Sequence, residues 1–283
     1  LLTQGMVCHE TFKTSDNKWI EPGKVFKNKN KYLTEKGDEV LKGRSEKMSK
    51  SKKNTVDPEV IIKRFGADTA RLFMMSDSPP ERDLEWSDEG IKATWKYLNK
   101  IYTFLSKKNF RFFPNDDLFS YSKNEYRFLI KYTHEVIKSY TDDIKNYKFN
   151  SAIAKIREFS NKLLSNEKMP EEMQNYTWSI FLRLIYVFTP HLSEELSGLD
   201  KKSISICNYN WPKHNENYLS QKKINLVIQI NGKKKILFEV PFDLNQEDIE
   251  KKLKSSEKTK ELFSLKIRKI IFVKNKIINF VVG

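Results

Sequence analysis

Apolar residues recur at every third or fourth position through the middle of the chain, from about residue 84 to residue 200. This spacing is typical of amphipathic helices, and the short links between them predict an antiparallel bundle of four or five helices. We expect helix starts at a capping box of Ser122 and Glu125, at Asn150 and at Pro170. The first helix carries an apolar face of Ile91, Trp95, Leu98, Tyr102 and Leu105.

The period changes to two near residue 224, which indicates strands. Residues 224–230 and 236–240 flank Asn231-Gly232, a strong hairpin signal. Asn245 is expected to start a helix, and two further strands, 270–273 and 277–282, meet at the turn 274–276. The order ββαββ predicts a small α+β domain.

The first 82 residues combine short strands and turns with a polar loop at 46–54 made mostly of Lys, Ser and Asn. Asp57 and Pro58 predict a helix start, and Gly66 predicts its end. Asp68 is expected to cap the next helix. The fold class is therefore multidomain, α/β plus all-α, with predicted domains at 1–82, 83–215 and 222–283.

Composition excludes several classes of protein. With 283 residues, 39% of them hydrophobic, the chain can build real cores, and no run of apolar residues is long enough to cross a membrane. Cys8 and Cys207 are its two cysteines, which excludes a disulfide scaffold and a cysteine-based metal site. No signal peptide is recognisable, so a cytoplasmic location is expected.

The net charge of +15 is concentrated in two places. Residues 42–53 carry six basic side chains against Glu46, and residues 222–283 carry 15 basic against 7 acidic side chains. Such concentration favours binding of polyanions, although a solvated Lys-rich surface is the alternative.

The segment Lys47-Met48-Ser49-Lys50-Ser51 carries the candidate chemistry. Two lysines and two hydroxyl residues without a carboxylate suit a chain of phosphates, because ammonium groups can stabilise charge that develops on a pyrophosphate leaving group. A mobile loop can also close over a nucleotide. From composition alone, a basic linker is the simpler interpretation.

The ordered string resembles the KMSKS signature of the class I aminoacyl-tRNA synthetases, and the following segment up to Arg71 resembles theirs as well. The resemblance implies a loop at the end of a Rossmann-like catalytic domain that binds ATP with Mg²⁺. It implies catalytic roles for Lys50 and Lys47, and ATP contacts from Lys47, Met48, Ser49, Lys50 and Ser51. Met48 is expected mainly to pack.

Three further stretches resemble the leucyl-tRNA synthetases of bacterial type: Gln4 to Val7, Asp83 to Ser87, and the ending from residue 227 onward. The resemblance implies a leucine–tRNA ligase that forms leucyl-adenylate, with leucine tRNA, ATP and leucine as partners and a monomeric enzyme. The bundle would be of the anticodon-binding type, and residues 9–43 a short insertion. The tRNA contacts implied for the last domain are Lys233, Lys234, Lys235, Arg268, Lys269, Lys274 and Lys276.

Other parts of such an enzyme are not found in this sequence. The His-x-Gly-His signature, the editing domain and most of the leucine pocket are missing, so we expect this piece alone to be inactive. A non-catalytic RNA-binding module derived from a synthetase is the alternative. No metal-ligand spacing is found among the acidic residues.

Several other residues are interpreted as structural rather than functional. Trp86 and Trp95 are interpreted as core residues rather than base-stacking platforms, and His134 and His191 as ordinary helix residues. Arg64 and Arg71 are expected either to form salt bridges or to contact the tRNA backbone.

Overall fold

A computed structural model describes residues 3–108, 110–113, 126–198, 205–219, 223–241 and 244–283. The chain divides into two compact units, Leu1–His214 and Asn215–Gly283. The mixture of helices and sheets agrees with the predicted fold class. The capping box of Ser122 and Glu125 lies outside the described residues. Within the described part of the chain, no helix is long and apolar enough to cross a membrane.

The described part of the first unit contains seven α-helices. They are α1 Pro58–Phe65, α2 Ala67–Ser76, α3 Asp88–Ser106, α4 Arg127–Lys145, α5 Phe149–Leu164, α6 Glu171–Ile185 and α7 Pro190–Ser197. Helix α6 is buried along nearly its whole length and forms the centre of the bundle. A large fully buried side chain, Trp178, anchors this core together with Tyr140, Tyr176 and Phe159.

The predicted apolar face of α3 is partly wrong. The buried positions are Ile91, Thr94, Leu98, Ile101 and Leu105, whereas Trp95 is 41% exposed and Tyr102 is 42% exposed. The buried stripe runs on the other side of Ile91 and Leu98, so that Thr94 and Ile101 take the inner positions. The Thr94 hydroxyl is satisfied there by donating to the Gly90 carbonyl at 3.0 Å. Trp95 packs edge-on to Phe65 at 6.5 Å between ring centroids.

Helix boundaries follow some of the predicted caps. Asp57 caps α1 by accepting a hydrogen bond from the Glu59 amide at 2.9 Å, and Gly66, at φ 86°, ends the helix. Asp68 and Asn150 were wrongly predicted as caps, because α2 begins at Ala67 and α5 at Phe149, which places both side chains inside the first turn.

Among the residues described in the first unit, eight strands form two sheets. A three-stranded sheet has the order β7 Glu46–Lys47, β1 Val7–His9 and β8 Leu84–Glu85, with β1 antiparallel to β7 and parallel to β8. An antiparallel five-stranded sheet has the order β3 Trp19–Ile20, β2 Phe12–Thr14, β6 Glu39–Lys42, β5 Lys31–Thr34 and β4 Val25–Asn28.

The second unit holds a short helix, α8 Glu216–Leu219, then β9 Lys223–Ile230, β10 Lys233–Pro241, α9 Gln246–Ser255, β11 Ile267–Val273 and β12 Ile277–Val282. The sheet order is β10-β9-β12-β11, with β9 parallel to β12. The Asn231-Gly232 hairpin is confirmed, with φ 46° and 78°, and Asn245 caps α9 as predicted. Helix α9 covers one face of the sheet through Ile249 and Leu253.

Candidate functional site: the loop at residues 46–54

The loop begins as an edge strand and ends in a tight helical turn. Lys47 pairs with Cys8 across β7 and β1, and the Met48 amide continues the ladder by donating to the Val7 carbonyl at 3.0 Å. Ser49 then caps a single 3₁₀ turn, Lys50–Lys52, by accepting from the Lys52 amide at 3.3 Å. The position of the loop is therefore set by backbone hydrogen bonds.

A fully buried asparagine holds the two ends of this loop together. The Asn54 side-chain oxygen accepts from the Ser49 amide at 2.8 Å. Its amide group faces the carbonyls of Glu46 at 3.0 Å, His9 at 3.3 Å and Lys47 at 3.4 Å. This anchoring role of Asn54 was not predicted. An Asn that follows a lysine-rich loop and precedes a helix start was the available signal, since Asn side chains readily bond nearby backbone.

Lys53 has left-handed backbone angles, with φ 53° and ψ 26°. This conformation ends the 3₁₀ turn and directs the chain into the buried position of Asn54. A side chain with a Cβ is strained there, so glycine would be the favoured residue.

The five predicted contact residues differ in their surroundings. Lys47, Lys50 and Ser51 are exposed, and the hydroxyls of Ser49 and Ser51 lie 3.0 Å apart. Met48 is half-buried and packs against the cluster of Ile61, Phe73, Leu84, Trp86 and Ile91, as expected. The loop therefore offers cations to solvent while its methionine fixes it to the core.

One cation of the loop is neutralised internally. Lys52 forms an ion pair with Glu46, and this hydrogen bond lowers the pKa of the Glu46 carboxyl. Lys47 and Lys50 form no ion pair within the described residues, so their charges stay available to a bound anion.

A cleft of about 420 Å³ opens beside the loop. Four cationic side chains line it, Lys50, Lys53, Arg64 and Lys92, together with two carboxylates, Glu21 and Asp88. Of the five predicted ATP-binding residues, only Lys50 lines this cleft. Lys53 belongs to the basic segment 42–53, whereas Lys92, on α3, was not predicted to lie beside the loop. An excess of cations in a concave site favours phosphate groups.

The other singled-out residues are accounted for by packing and hydrogen bonds. Trp86 is buried, as expected, and packs edge-on to Phe73 at 5.3 Å. His134 is buried, and burial lowers its pKa to about 4. Arg71 has a role that was not predicted, since it donates to the carbonyls of Val187 at 2.9 Å and Phe188 at 3.1 Å.

The seven basic residues predicted to contact tRNA are all exposed but do not form one group. The strand registers place Lys233, Lys234, Lys235, Arg268 and Lys269 at the end of the sheet that carries the Asn231-Gly232 hairpin. Lys274 and Lys276 lie at the opposite end, in the turn between β11 and β12, about 20 Å away at 3.3 Å per residue. The sequence alone could not show this division, because it depends on β9 and β12 being parallel.

No group of three or more His, Cys, Asp or Glu side chains suited to a metal ion occurs among the residues whose structure is described.

Comparison with known proteins gives two family matches. Residues 38–87 match the family "tRNA synthetases class I (I, L, M and V)", and residues 127–259 match "Anticodon-binding domain of tRNA ligase". The first match contains the whole loop and α1 and α2.

Curated relatives align with the entire chain. Leucine–tRNA ligases of Orientia tsutsugamushi and of Wolbachia pipientis from Culex pipiens are 39% and 38% identical to it. The chain spans about one third of the length of these relatives.

Among solved structures, the ternary complex of Agrobacterium radiobacter K84 agnB2 LeuRS with tRNA and LeuAMS is similar, with a TM-score of 0.63 and 29% identity. The match covers 84% of this chain and 31% of that protein.

Proposed function

Because this chain belongs to the class I tRNA synthetases and aligns along its whole length with leucine–tRNA ligases, we propose that it supplies the nucleotide loop and the tRNA-binding parts of such a ligase. The ligase joins leucine to its tRNA through leucyl-adenylate at the expense of ATP. The observation that carries the proposal is the KMSKS loop itself, anchored by Asn54 inside the matched segment 38–87.

In this reaction the leucine carboxylate attacks the α-phosphorus of ATP and pyrophosphate leaves. The attacking group is already an anion, so no general base is required. Lys50, in the cleft, stabilises the charge that develops on the phosphates, and Lys47 adds a second positive charge on the neighbouring strand. ATP enters as its Mg²⁺ complex. The leucine pocket lies mostly in the remainder of the enzyme.

The proposed division of labour follows three domains. Residues 1–82 form the end of a Rossmann-like catalytic domain, residues 83–215 an anticodon-binding-type bundle, and residues 222–283 a tRNA-binding domain. The enzyme is proposed to act as a cytoplasmic monomer. A non-catalytic RNA-binding module is not favoured, because relatives that match the whole chain are ligases.

The role of the loop is tested by replacing Lys50 with Ala in an intact ligase that carries this sequence. Loss of one preorganised charge at the transition state costs about 10²- to 10³-fold in kcat, here for leucine-dependent ATP–pyrophosphate exchange. Lys63→Ala is the matched control, since Lys63 is an exposed lysine on α1 with one weak ion pair at 3.7 Å. Equal rates for the two variants would refute the proposal.

For the second unit we propose that the five basic residues at the hairpin end contact tRNA phosphates. They form no ion pair with any described residue, and phosphate contacts of this kind give binding that weakens steeply with salt. Lys274 and Lys276, at the other end of the sheet, would contribute less to the same contact.

Two double variants of this chain remove the same charge from the two ends. We expect Lys233→Ala with Lys235→Ala to weaken binding of leucine tRNA. The negative slope of the logarithm of the association constant against the logarithm of the salt concentration should become shallower by about 1.5. Lys274→Ala with Lys276→Ala should change that slope less. The reverse order would place the contact at the opposite end of the sheet.

A further inference from the structure

Helix α2 holds the junction between α6 and α7 by two oppositely charged side chains. Asp68 lies in its first turn, with a side chain only about 10% exposed, and Arg71 follows one turn later on the same side of the helix. Both reach residues more than 110 positions further along the chain. These two residues therefore join the segment after the nucleotide loop to the helical bundle.

Asp68 caps α7 from outside that helix. Its two oxygens accept from the Leu192 amide at 2.7 Å and from His191 Nδ1 at 2.8 Å. The local cap residue Thr189 makes no capping bond, because its hydroxyl donates to the Ile185 carbonyl at 3.3 Å instead. The negative charge at this helix start also matches the helix dipole.

Arg71 satisfies the other half of the junction. Helix α6 ends at Ile185, and the carbonyls of Val187 and Phe188 that follow accept from the Arg71 guanidinium. A cation is favourable beside carbonyls at the end of a helix. The fork of two donors also fixes the direction of α2 against the junction, which a single point charge could not do.

The same helix reaches the nucleotide loop. Phe73 packs edge-on to Trp86, and these two rings belong to the cluster against which Met48 is packed. Helix α2 therefore contacts the α6–α7 junction near its start and, through Phe73, the apolar cluster that packs against Met48 near its end. A shift of the junction would move this cluster and with it Met48, and Lys50 is only two residues beyond Met48.

We propose that Asp68 and Arg71 are positioning residues that fix the nucleotide loop relative to the helical bundle. This inference rests on the proposed function of the loop. It assigns to both residues an effect on the use of ATP, although neither lines the cleft beside Lys50.

The test uses an intact ligase that carries this sequence, with the variants Asp68→Ala, Arg71→Ala and Arg71→Lys. Asp77→Ala, which removes an exposed carboxylate just after α2, and Lys63→Ala are the charge-matched controls.

Leucine-dependent ATP–pyrophosphate exchange is measured well below the melting temperature of each variant. We expect the two alanine variants to lose about tenfold in kcat/KM for ATP, because the loop that carries Lys50 is displaced. KM for leucine should stay unchanged. Arg71→Lys should recover part of the loss.

A purely structural role predicts a different result. It would lower the melting temperature but leave kcat and both KM values of the folded enzyme at the control level, and that outcome overturns the inference. If the alanine variants do not fold, Asp68→Asn and Arg71→Lys are measured by the same criteria. Should Lys50→Ala abolish exchange while Asp68→Ala and Arg71→Ala do not affect it, only this inference fails. Should Lys50→Ala also have no effect, the proposed function itself fails.

Discussion

Replacing Asn54 with Ala should release the loop at residues 46–54 without unfolding the rest of the first unit. The change removes two short hydrogen bonds, at 2.8 Å to the Ser49 amide and 3.0 Å to the Glu46 carbonyl, and two longer ones. A net value of about 1 kcal/mol for each short bond and a few tenths for each long one gives a loss of about 2–3 kcal/mol. The site is fully buried, so water cannot replace the lost partners without an opening.

Hydrogen exchange measures that loss directly. If amides of the loop exchange through local opening, about 2–3 kcal/mol accelerates exchange of the Ser49 amide about 30- to 150-fold. Mass spectrometry of a peptide spanning 45–56 would report it. Asn99→Ala is the matched control, because Asn99 is a half-buried asparagine whose side chain donates to the Trp95 carbonyl of its own helix, far from the loop in sequence. Unchanged exchange of the peptide in Asn54→Ala would refute the anchoring role, and equal acceleration in α5 and α6 would show global unfolding instead.

Two further predictions concern local conformation and pH. Lys53→Gly should stabilise the loop by about 0.5–1 kcal/mol, because glycine adopts φ 53° without strain. Slower hydrogen exchange of the same peptide would report this. Ser51→Gly, inside the 3₁₀ turn, should instead destabilise the loop and speed the exchange. Burial holds the pKa of His134 at about 4, below its ordinary 6.5, with repulsion from His214 as a smaller cause. The unfolded state therefore binds more protons between these values, and the melting temperature should fall as pH is lowered from 6.5 to 4; a His134→Gln variant that keeps the full slope would contradict this.

Sequence periodicity was informative wherever burial is regular. The hairpin at Asn231-Gly232 and the caps at Asp57 and Asn245 were predictable because each depends on one or two residues and their immediate neighbours. The face of α3 was shifted, because Thr94 satisfies its hydroxyl within the helix and can be buried while the larger Trp95 remains at the margin.

Contacts between distant segments could not be read from the sequence. Asp68 looked like a local cap, and only the fold brings α7 to it. In the sequence, Asn54 is one of several polar residues in a polar loop. Its contact with the His9 carbonyl depends on the position of β1, which is distant in sequence. In the second unit, the parallel pairing of β9 and β12 separates Lys274 and Lys276 from the other five basic residues.

We propose that this chain is part of a ligase for leucine. The most direct measurement is aminoacylation by an intact enzyme that carries this sequence, with leucine, isoleucine, valine and methionine each offered with its own tRNA, since the matched family includes all four specificities. We expect efficient charging of leucine tRNA with leucine and a much lower kcat/KM for each of the other three pairs. Charging of another pair with equal efficiency, or no charging of leucine tRNA by the folded enzyme, would contradict it.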